Sequence, residues 1–533
     1  MNRAFYLKKK SNPKSKSDKP VSFVLSKDYC QSVLEKNAYL GQQGFTILKS
    51  DIHADDLSEI KRILTVETIP SFSGPKTDIV SFPVFRENEK KIYIPRFFGE
   101  SRYGGIPAKI ELSLGESISV PFVKSIRDYQ EKIIQVYLDH VHFSKSDMNY
   151  PPSGGGILEV PCGRGKTVLS LKIISIIERK TLILVHKEFL MNQWIERIAE
   201  FLPSARVGKI QGPIFDIENK DIVIGMIQSL YDRPFPPNAF SSFGLTIIDE
   251  VHRIASEEFS KTLFKTITNC MLGISATVDR KDGLTNVLHM FIGPKIYTEE
   301  RKDEDVIEVR AIEYLNNDKE YNEVAYDYMG NVAHTTMISK ISNFPPRCQF
   351  LVKVLRDLVH ENPEKQIMVL SQIRGLLTSI HEQLVVVGLD VGFYVGGMKQ
   401  KDLQATEEKQ IVLATYAMAA EALDIKTLNT LFMVSPKTDI IQSVGRILRT
   451  RGSGKLIVDM IDTHDVFQNQ WKKRRAYYKK CGYGISYVKS EDYIDMEIKD
   501  AWKRVSTATK IEEEEKPKCF IDVSEIDFER KIA

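Results

Sequence analysis

The sequence contains few cysteines, no long apolar run and almost no net charge. The cysteines form no C-x-x-C pair, which argues against a structural zinc site and a disulfide framework and fits a reducing compartment. They are Cys30, Cys162, Cys270, Cys348, Cys481 and Cys519. No apolar stretch approaches the roughly 18 residues that cross a bilayer, so we expect no membrane association. The net charge of +3 over 533 residues requires any strongly basic surface to be local.

The first residues, MNRAFYLKKKSNPKSKSDKP, are rich in Lys, Ser and Pro and lack the apolar core of a secretory signal. We interpret residues 1–20 as a disordered basic arm, with a nucleic-acid-binding or import arm as the alternative. Residues 21–115 mix short helical and strand patterns whose spacing points to no particular chemistry. They predict an N-terminal α+β accessory domain.

From residue 155 onward, continuous apolar runs of strand length alternate with helical patterns. The first group of runs occupies 155–160, 181–186, 221–227, 245–250 and 271–277. The second group occupies 366–371, 390–397, 410–415, 430–435 and 454–462. Such strands, separated by helices, are typical of a parallel sheet that is buried on both faces. We predict an α/β chain with two parallel-sheet domains in tandem, at 116–300 and 346–485, a linker at 301–345 and a charged extension at 486–533.

A glycine-rich stretch, ILEVPCGRGKTVLSL, joins the first predicted strand of the first domain to a helix. Gly163 and Gly165 let the backbone approach phosphate oxygens, and the N-terminus of the following helix favours an anion. Lys166 can reach the β- and γ-phosphates, and Thr167 can ligate Mg²⁺. Val160 stands where the general P-loop pattern has Gly. The stretch nevertheless predicts a site for ATP and Mg²⁺.

Two adjacent carboxylates end the predicted strand in LTIIDEVHRI. The carboxyl ends of parallel strands are where such sheets bind ligands. We expect Asp249 to hold the Mg²⁺ that bridges the β- and γ-phosphates, and Glu250 to orient and polarise the attacking water. A strand-end Asp that caps the next helix is the structural alternative.

An apolar helical pattern in the second domain, DIIQSVGRILRT at 439–450, carries two arginines. Because Arg446 and Arg449 are three residues apart, they lie on the same side of the predicted helix. A solvated helix face is one interpretation. Since the first domain offers a phosphate loop, we favour arginine fingers that reach the γ-phosphate, so that hydrolysis requires the two domains to close.

Short motifs follow one another along the chain in a fixed order. They are SIRDYQEKI (125–133), VPCGRGKT, VHKEFLMNQW (185–194), GMIQSL (225–230), DEVH, SAT (275–277), LATYAMAAEALDI (413–425) and QSVGRILR (442–449). In this order they resemble the superfamily 2 helicases. QW, SATVDRKDG and GRILR are similar to the branch that holds the eukaryotic transcription/repair helicase and phage recombination helicases. SPKTDIIQSVGRILR, IVDMIDTHDVFQNQWKKRRAYYKKCGY and YIPRFFG resemble helicases of large cytoplasmic DNA viruses, including the poxvirus transcript-release helicase and its asfarvirus relative.

This resemblance implies a DExH-type ATPase with two RecA-like domains, and it assigns roles to individual residues. Gln130 is implied to read the adenine base, with Arg127 supporting it. The full implied ATP-binding set is Arg127, Gln130, Pro161, Cys162, Gly163, Arg164, Gly165, Lys166, Thr167 and Asp424. The implied catalytic set is Lys166, Asp249, Glu250, Gln442, Arg446 and Arg449. The residues implied to couple ATP to the grip on nucleic acid are His252, Ser275 and Thr277, together with Gln442.

The chain departs from the family pattern in two places. Val278 replaces the Pro that often follows the SAT triplet. The usual Gly-rich turn of the LATYAMAAEALDI segment is occupied by Ala419, Ala420, Glu421 and Ala422. The second departure bears on whether the backbone approaches its ligand there as it does in the family.

A helicase of this kind would hold one strand across both domains, mainly by its phosphates and without regard to sequence. The implied contact residues are His186, Gln228, Ser229, Arg280 and Thr415. The basic segment WKKRRAYYKK at 471–480 is either a further nucleic-acid patch or a solvated helix face whose Trp471 and Tyr477 dock on the core.

The expected activity is that of an ATP-dependent DNA helicase or translocase, with DNA, as single strand or duplex, favoured over RNA. We expect a role in viral transcription, through transcript release or termination alongside the transcription machinery, or in recombination. An RNA helicase is the first alternative, and a nucleotide-gated clamp that does not unwind is the second. The viral resemblance implies a cytoplasmic location, in viral factories or the virion; without it, a nuclear location would be expected.

Overall fold

The computed structural model describes most of the chain between residues 24 and 507. The described residues are 24–67, 81–143, 152–161, 163–236, 238–251, 257–278, 284–299, 307–421, 425, 427–438, 440, 444, 454–497 and 501–507. They form an N-terminal α+β unit followed by two α/β units with largely parallel sheets, which confirms the predicted fold class. No helix within these ranges has the length and apolar character needed to cross a membrane.

The N-terminal unit is built on a small sheet and a separate strand pair. Its strands are β1 (Ala38–Gly41), β2 (Gly44–Leu48), β3 (Thr65–Glu67), β4 (Ser81–Pro83), β5 (Arg86–Glu87), β6 (Lys91–Ile94) and β7 (Lys109–Ile110). Its helices are α1 (Lys27–Ser32), a π-helix (Val33–Asn37), α2 (Ala54–Ile63) and α3 (Arg96–Tyr103). The sheet has the order β5-β6-β2-β1-β7, and β3 pairs with β4.

The N-terminal unit is fastened to the first α/β unit by a buried arginine. Arg96 is 1% exposed and donates to the carbonyl oxygens of Thr268 at 3.3 Å and Asn269 at 2.8 Å. Leu40 and Val84 also share a hydrophobic cluster with residues of the first α/β unit. These contacts attach the N-terminal unit to the first α/β unit, which carries the phosphate loop.

The first α/β unit holds the predicted phosphate loop and acid pair. Its strands are β8 (Gly154–Glu159), β9 (Thr181–Val185), β10 (Val207–Gln211), β11 (Ile214–Phe215), β12 (Ile222–Met226), β13 (Leu245–Asp249), β14 (Cys270–Ser275) and β15 (Lys295–Thr298). Its helices are α4 (Asp128–His140), α5 (Lys166–Ile177), α6 (Glu188–Phe201), α7 (Ile227–Asp232), α8 (Glu257–Leu263) and α9 (Thr285–Ile292). The strand order is β11-β10-β12-β9-β13-β14-β8-β15. Strands such as β9 and β13 are wholly buried, as expected for a sheet covered on both faces.

The second α/β unit has a sheet of the same size. Its strands are β16 (Ile307–Tyr314), β17 (Gln366–Ser371), β18 (Val391–Tyr394), β19 (Ile411–Thr415), β20 (Leu428–Met433), β21 (Lys455–Asp462), β22 (Gly484–Lys489) and β23 (Lys503–Ser506). Its helices are α10 (Lys319–Asn322), α11 (His334–Ser342), α12 (Pro345–Glu361), α13 (Arg374–Val386), α14 (Gln400–Glu407), α15 (Tyr416–Glu421) and α16 (Asp465–Lys480). The strand order is β18-β19-β17-β20-β21-β16-β22-β23.

The bounds predicted for the second domain are too narrow. The segment 301–345, expected to be a linker, contains β16, which lies inside the sheet between β21 and β22. The segment 486–533, expected to be an extension, supplies most of β22 and all of β23. The apolar-run criterion missed β16 because polar residues alternate with apolar ones along it. Arg310, for example, is accommodated by an ion pair with Glu361 at 2.8 Å.

The basic segment 471–480 lies on α16, and the structure divides its residues between the two interpretations. Arg474 is 2% exposed and donates to both carboxylate oxygens of Asp459 at 2.8 Å. Trp471 is buried and Tyr477 packs partly buried against the same core. Arg474 is therefore a core residue and not part of a nucleic-acid patch. The patch interpretation still applies to the exposed cations of the segment, which are Lys472, Lys473, Arg475, Lys479 and Lys480.

Replacing Arg474 with Met should lower the free energy of unfolding of the second α/β unit by about 3 kcal/mol, because Asp459 would be left as an unpaired buried charge. Lys473→Met, on an exposed position of the same helix, should change that free energy by less than about 0.5 kcal/mol. Urea denaturation followed by circular dichroism measures both. Equal effects of the two substitutions would contradict the structural role of Arg474.

Candidate active site

The candidate site lies at the carboxyl edge of the first sheet. Strands β13, β14 and β8 are neighbours and run parallel, with Asp249 in register with Ile274, and Ser275 in register with Glu159. Because parallel strands end at the same edge, the phosphate loop, the acid pair and the SAT triplet come together there. Segments far apart in the chain thereby form one cluster.

The phosphate loop depends on two glycines in left-handed backbone conformations. Gly163 has φ +85° and Gly165 has φ +80°, a region that disfavours residues with a β-carbon. A β-carbon at Gly165 would also lie 2.5 Å from the side-chain nitrogen of Gln130. Helix α5 begins directly afterwards at Lys166, with Thr167 in its first turn. The loop is thus shaped as the sequence predicted, with backbone N–H groups and a helix N-terminus available to phosphate.

Lys166 and Glu250 form an ion pair across the site. Lys166 Nζ lies 2.8 Å from Glu250 Oε1, and their side chains are 13% and 20% exposed. Ser275 Oγ lies 3.4 Å from the other carboxylate oxygen of Glu250. Glu250 adopts φ +52°, which is uncommon for a residue with a side chain and occurs often at functional sites. The cation expected to bind phosphate and the acid expected to act as base are therefore in direct contact.

Asp249 is the more deeply buried of the two acids. It is 8% exposed, and its Oδ2 accepts a hydrogen bond from Trp194 Nε1 at 3.0 Å. Burial and, to a smaller extent, the charge of Glu250 raise the pKa of Asp249 to about 6, although Lys166 and Trp194 oppose the rise. A buried carboxylate beside a second acid is suited to a divalent cation. The residues therefore fit Mg²⁺, which Asp249 and Thr167 would hold and which would neutralise charge on phosphate oxygens.

Gln130 contacts the phosphate loop with its side-chain amide. Its Oε1 accepts from the backbone N–H of Arg127 at 3.0 Å, and its Nε2 donates to the carbonyl oxygen of Arg164 at 3.1 Å. The guanidinium of Arg164 lies 3.9 Å from the centre of the Tyr129 ring and pairs with Glu299. The oxygen and the nitrogen of the Gln130 amide thus each form a hydrogen bond within the protein. The role of Gln130 in reading adenine stays a prediction.

Comparison with known proteins identifies the family to which this chain belongs. The family model "Type III restriction enzyme, res subunit" matches residues 123–280, and "Helicase conserved C-terminal domain" matches residues 348–451. A protein of Acanthamoeba polyphaga mimivirus, provisionally named an ATP-dependent RNA helicase, is 31% identical over 458 residues, which cover 83% of this chain and 85% of that protein. The chain belongs to the superfamily 2 helicases, in the group found in large DNA viruses.

Two further relatives of this helicase have names that refer to different nucleic acids. A protein of African swine fever virus, also provisionally named an ATP-dependent RNA helicase, is 28% identical over 362 residues, covering 63% of this chain and 70% of that protein. A DNA 3′-5′ translocase of Sulfurisphaera tokodaii is 23% identical over 399 residues, covering 66% of this chain and 86% of that protein. The helicase is accordingly an enzyme of the ATPase/helicase class, with two RecA-like units.

The described residues that are candidates for binding nucleic acid form different hydrogen bonds within the helicase. Gln228 donates to the carbonyl oxygen of His186 at 3.1 Å, which brings these two residues together beyond the neighbouring strands β12 and β9. The hydroxyl of Ser229 accepts from the backbone N–H of Gly212 at 2.8 Å. The hydroxyl of Thr415 accepts from the N–H of Met418 at 3.4 Å, at the start of α15. Their contact with nucleic acid stays a prediction.

Several predicted site residues lie outside the described residues of the helicase. They are Cys162, His252, Arg280, Asp424, Gln442, Arg446 and Arg449. Among the coupling residues, Ser275 and Thr277 are described: Ser275 Oγ donates to the carbonyl oxygen of Thr277 at 2.6 Å. The side of the site expected from the second unit is thus still a prediction from sequence.

Sequence reasoning missed three residues that hold the site together. Trp194 binds Asp249, Glu299 pairs with the phosphate-loop residue Arg164, and Glu159 accepts from the backbone N–H of Val278 at 2.9 Å. Trp194 lay in a quoted motif, but an aromatic residue at helical spacing is first interpreted as core. Glu159 did leave a signal: it is a lone charge inside an apolar strand, directly before the loop.

Replacing Glu250 with Gln should reduce ATP hydrolysis by about 100-fold or more, because the amide cannot accept a proton from water. ATP binding should persist, since the change leaves the phosphate loop intact and releases Lys166 from its ion pair. Hydrolysis assays and titration with a fluorescent ATP analogue measure the two effects. Glu258→Gln, at an exposed acid on α8, is the control and should behave as wild type. Loss of ATP binding in Glu250→Gln would contradict the assignment.

Replacing Trp194 with Phe should raise the Mg²⁺ concentration needed for half-maximal hydrolysis by about tenfold, as removal of partners of metal-binding residues commonly does. The indole N–H stabilises the charged carboxylate, so its loss raises the pKa of Asp249 further above about 6. Hydrolysis at low Mg²⁺ should then fail at a higher pH than in wild type and recover when Mg²⁺ is added. Trp502→Phe, in the second unit, is the matched control. An unchanged Mg²⁺ requirement at pH 6.5 would contradict the role of Trp194.

Proposed function

We propose that this helicase converts ATP hydrolysis into movement along DNA or separation of its strands. The observation that supports this most directly is the contact of Lys166 with Glu250 beside the buried Asp249, at the carboxyl edge of the first sheet. These residues offer a cation for the β- and γ-phosphates, a base for water and a holder for the metal. A second, largely parallel sheet follows in the chain, and its unit would supply the other side of the ATP site.

The proposed cycle begins when ATP enters the phosphate loop. Its negative charge competes with Glu250 for Lys166, so that the ion pair breaks and Glu250 accepts a proton from water. Arg446 and Arg449 would approach the γ-phosphate from the second unit and stabilise the charge of the transition state. Closure and reopening of the two units would advance whatever strand spans both of them.

The relatives support two candidate nucleic acids along which this helicase would move, DNA and RNA. The DNA 3′-5′ translocase favours DNA and movement from 3′ to 5′. The names of the mimivirus and African swine fever virus relatives favour RNA, which is the second candidate. Contacts to the 2′-hydroxyl would decide between them. We retain DNA as the proposed track, with a nucleotide-gated clamp as the remaining alternative.

We further propose a role in viral transcription, in transcript release or termination beside the transcription machinery, or else in recombination. The support is the series of relatives from large DNA viruses, which includes a protein of invertebrate iridescent virus 6 that is 25% identical over 451 residues. Under this proposal the helicase acts in cytoplasmic viral factories or the virion.

Single-stranded and duplex DNA should raise the rate of ATP hydrolysis severalfold, because bound strand favours closure of the two units. RNA of equal length and sequence should do so less. Labelled duplexes with a 3′ or a 5′ tail test unwinding, and displacement should require the 3′ tail. Glu250→Gln is the control that binds the strand without displacing it. Stimulation by RNA alone would select the RNA helicase, and ATP-dependent binding without displacement or movement would select the clamp.

A further inference from the structure

Glu159, the last residue of β8, joins three segments of the first unit through one carboxylate. Its Oε1 accepts from the backbone N–H of Val278 at 2.9 Å. Its Oε2 accepts from Lys295 Nζ at 3.0 Å and from Thr298 Oγ1 at 3.2 Å. The bond to Val278 is part-buried, whereas the bonds to Lys295 and Thr298 are exposed. The strand that leads into the phosphate loop, the residue after the SAT triplet and the last strand of the unit therefore meet at Glu159.

The bond to Val278 exists because of a departure from the family pattern. Superfamily 2 helicases often have Pro at this position, and Pro has no N–H to donate. Val278 is 0% exposed, so its N–H has no access to bulk water and depends on a protein acceptor. An N–H donated to a carboxylate is also stronger than one donated to a neutral oxygen. In this chain, a connection that the usual residue cannot make links the SAT triplet to β8.

A second acid extends the same connection to the phosphate loop. The backbone N–H of Glu299 donates to the carbonyl oxygen of Glu159 at 3.0 Å, and the Glu299 carboxylate pairs with Arg164. Arg164 in turn is held by Gln130 through its carbonyl oxygen. Glu299 directly follows β15, and the next strand within the described residues, β16, belongs to the second unit. The loop, the triplet and the route to the second unit are thus connected through Glu159 and Glu299.

We propose that Glu159 is a positioning residue that transmits the state of the phosphate loop to the SAT triplet through the Val278 N–H. A shift of the phosphate loop moves the end of β8 and therefore Glu159. Because Glu159 is bonded to the Val278 N–H, Val278 and the adjacent Thr277 move as well. The inference rests on the proposed function, because its consequence is how strongly nucleic acid stimulates ATP hydrolysis. A purely structural role of Glu159 would change stability and leave that stimulation unaltered.

The test compares Val278→Pro, which removes the N–H, with Val278→Ala, which keeps the N–H and removes two buried methyl groups. The readout is the ratio of hydrolysis rates with and without saturating single-stranded nucleic acid, beside the melting temperature and the KM for ATP. Val278→Pro should lower the ratio by about tenfold, the order expected for a hydrogen bond to a charged group. Val278→Ala should keep the ratio within about twofold. Equal ratios in the two variants would overturn the proposal.

A double-mutant cycle assigns the effect to the partner of Val278. Glu159→Ala should lower the ratio as Val278→Pro does, and the combined variant should be no worse than either one, because both changes remove the same bond. Lys295→Met removes the other charged contact of Glu159 and should leave the ratio within about twofold of wild type, since exposed ion pairs contribute little. Additive losses in the combined variant, or a loss in Lys295→Met as large as in Glu159→Ala, would overturn the proposal.

Amide hydrogen exchange separates this inference from the proposed function. In the full chain without nucleic acid, the Val278 amide should be protected in wild type and should exchange faster in Glu159→Ala, while protection of β9 stays the same. If wild type shows no stimulation by DNA or RNA, the proposed function fails, and the exchange result still decides whether Glu159 holds Val278. Unaltered exchange at Val278 in Glu159→Ala would overturn the inference even if stimulation is found.

Discussion

The contact between Lys166 and Glu250 is the interaction on which the proposed function of this site depends. A lysine after a glycine loop would be a general anion binder, and an acid at a strand end would be a general cap. Because the two groups are 2.8 Å apart, a phosphate bound in the loop would compete with Glu250 for Lys166. An ion pair that a stronger anion can break makes the availability of the base depend on ATP. The sheet makes this possible, because β8 and β13 end at one edge with only β14 between them.

The two adjacent acids differ in environment, and the difference separates their roles. Asp249 is buried and receives the indole N–H of Trp194, with its pKa raised to about 6. Glu250 is more exposed, lies beside Lys166 and adopts a left-handed backbone conformation. The backbone turn between them directs the two carboxylates to different partners. Metal binding and proton acceptance can therefore be divided between neighbouring residues, as in other sites where two carboxyl groups have unlike surroundings.

Much of this architecture could be predicted from the sequence where burial leaves a continuous apolar run. Strands β9 and β13 are examples, because helices cover both of their faces. β16 could not be found in this way, since its polar residues bind partners far along the chain, as Arg310 binds Glu361. The same reason hid Arg474: its partner Asp459 lies on a strand of the second sheet, and only the fold shows that the pair is buried. The catalytic motifs were accessible because their ligand chemistry fixes both residue type and spacing, whereas the contacts of Trp194 and Glu159 depend on tertiary structure.

We propose that both α/β units complete one active centre, in which the first supplies the lysine and the acids and the second supplies the arginines. The most direct measurement is an experimental structure of the helicase with bound nucleic acid and a transition-state analogue of ATP. We expect Lys166 to leave Glu250 for the γ-phosphate position, and the guanidinium of Arg446 or Arg449 to lie within hydrogen-bonding distance of that position. A closed complex in which Lys166 still pairs with Glu250 and both arginines face away from the phosphate loop would contradict it.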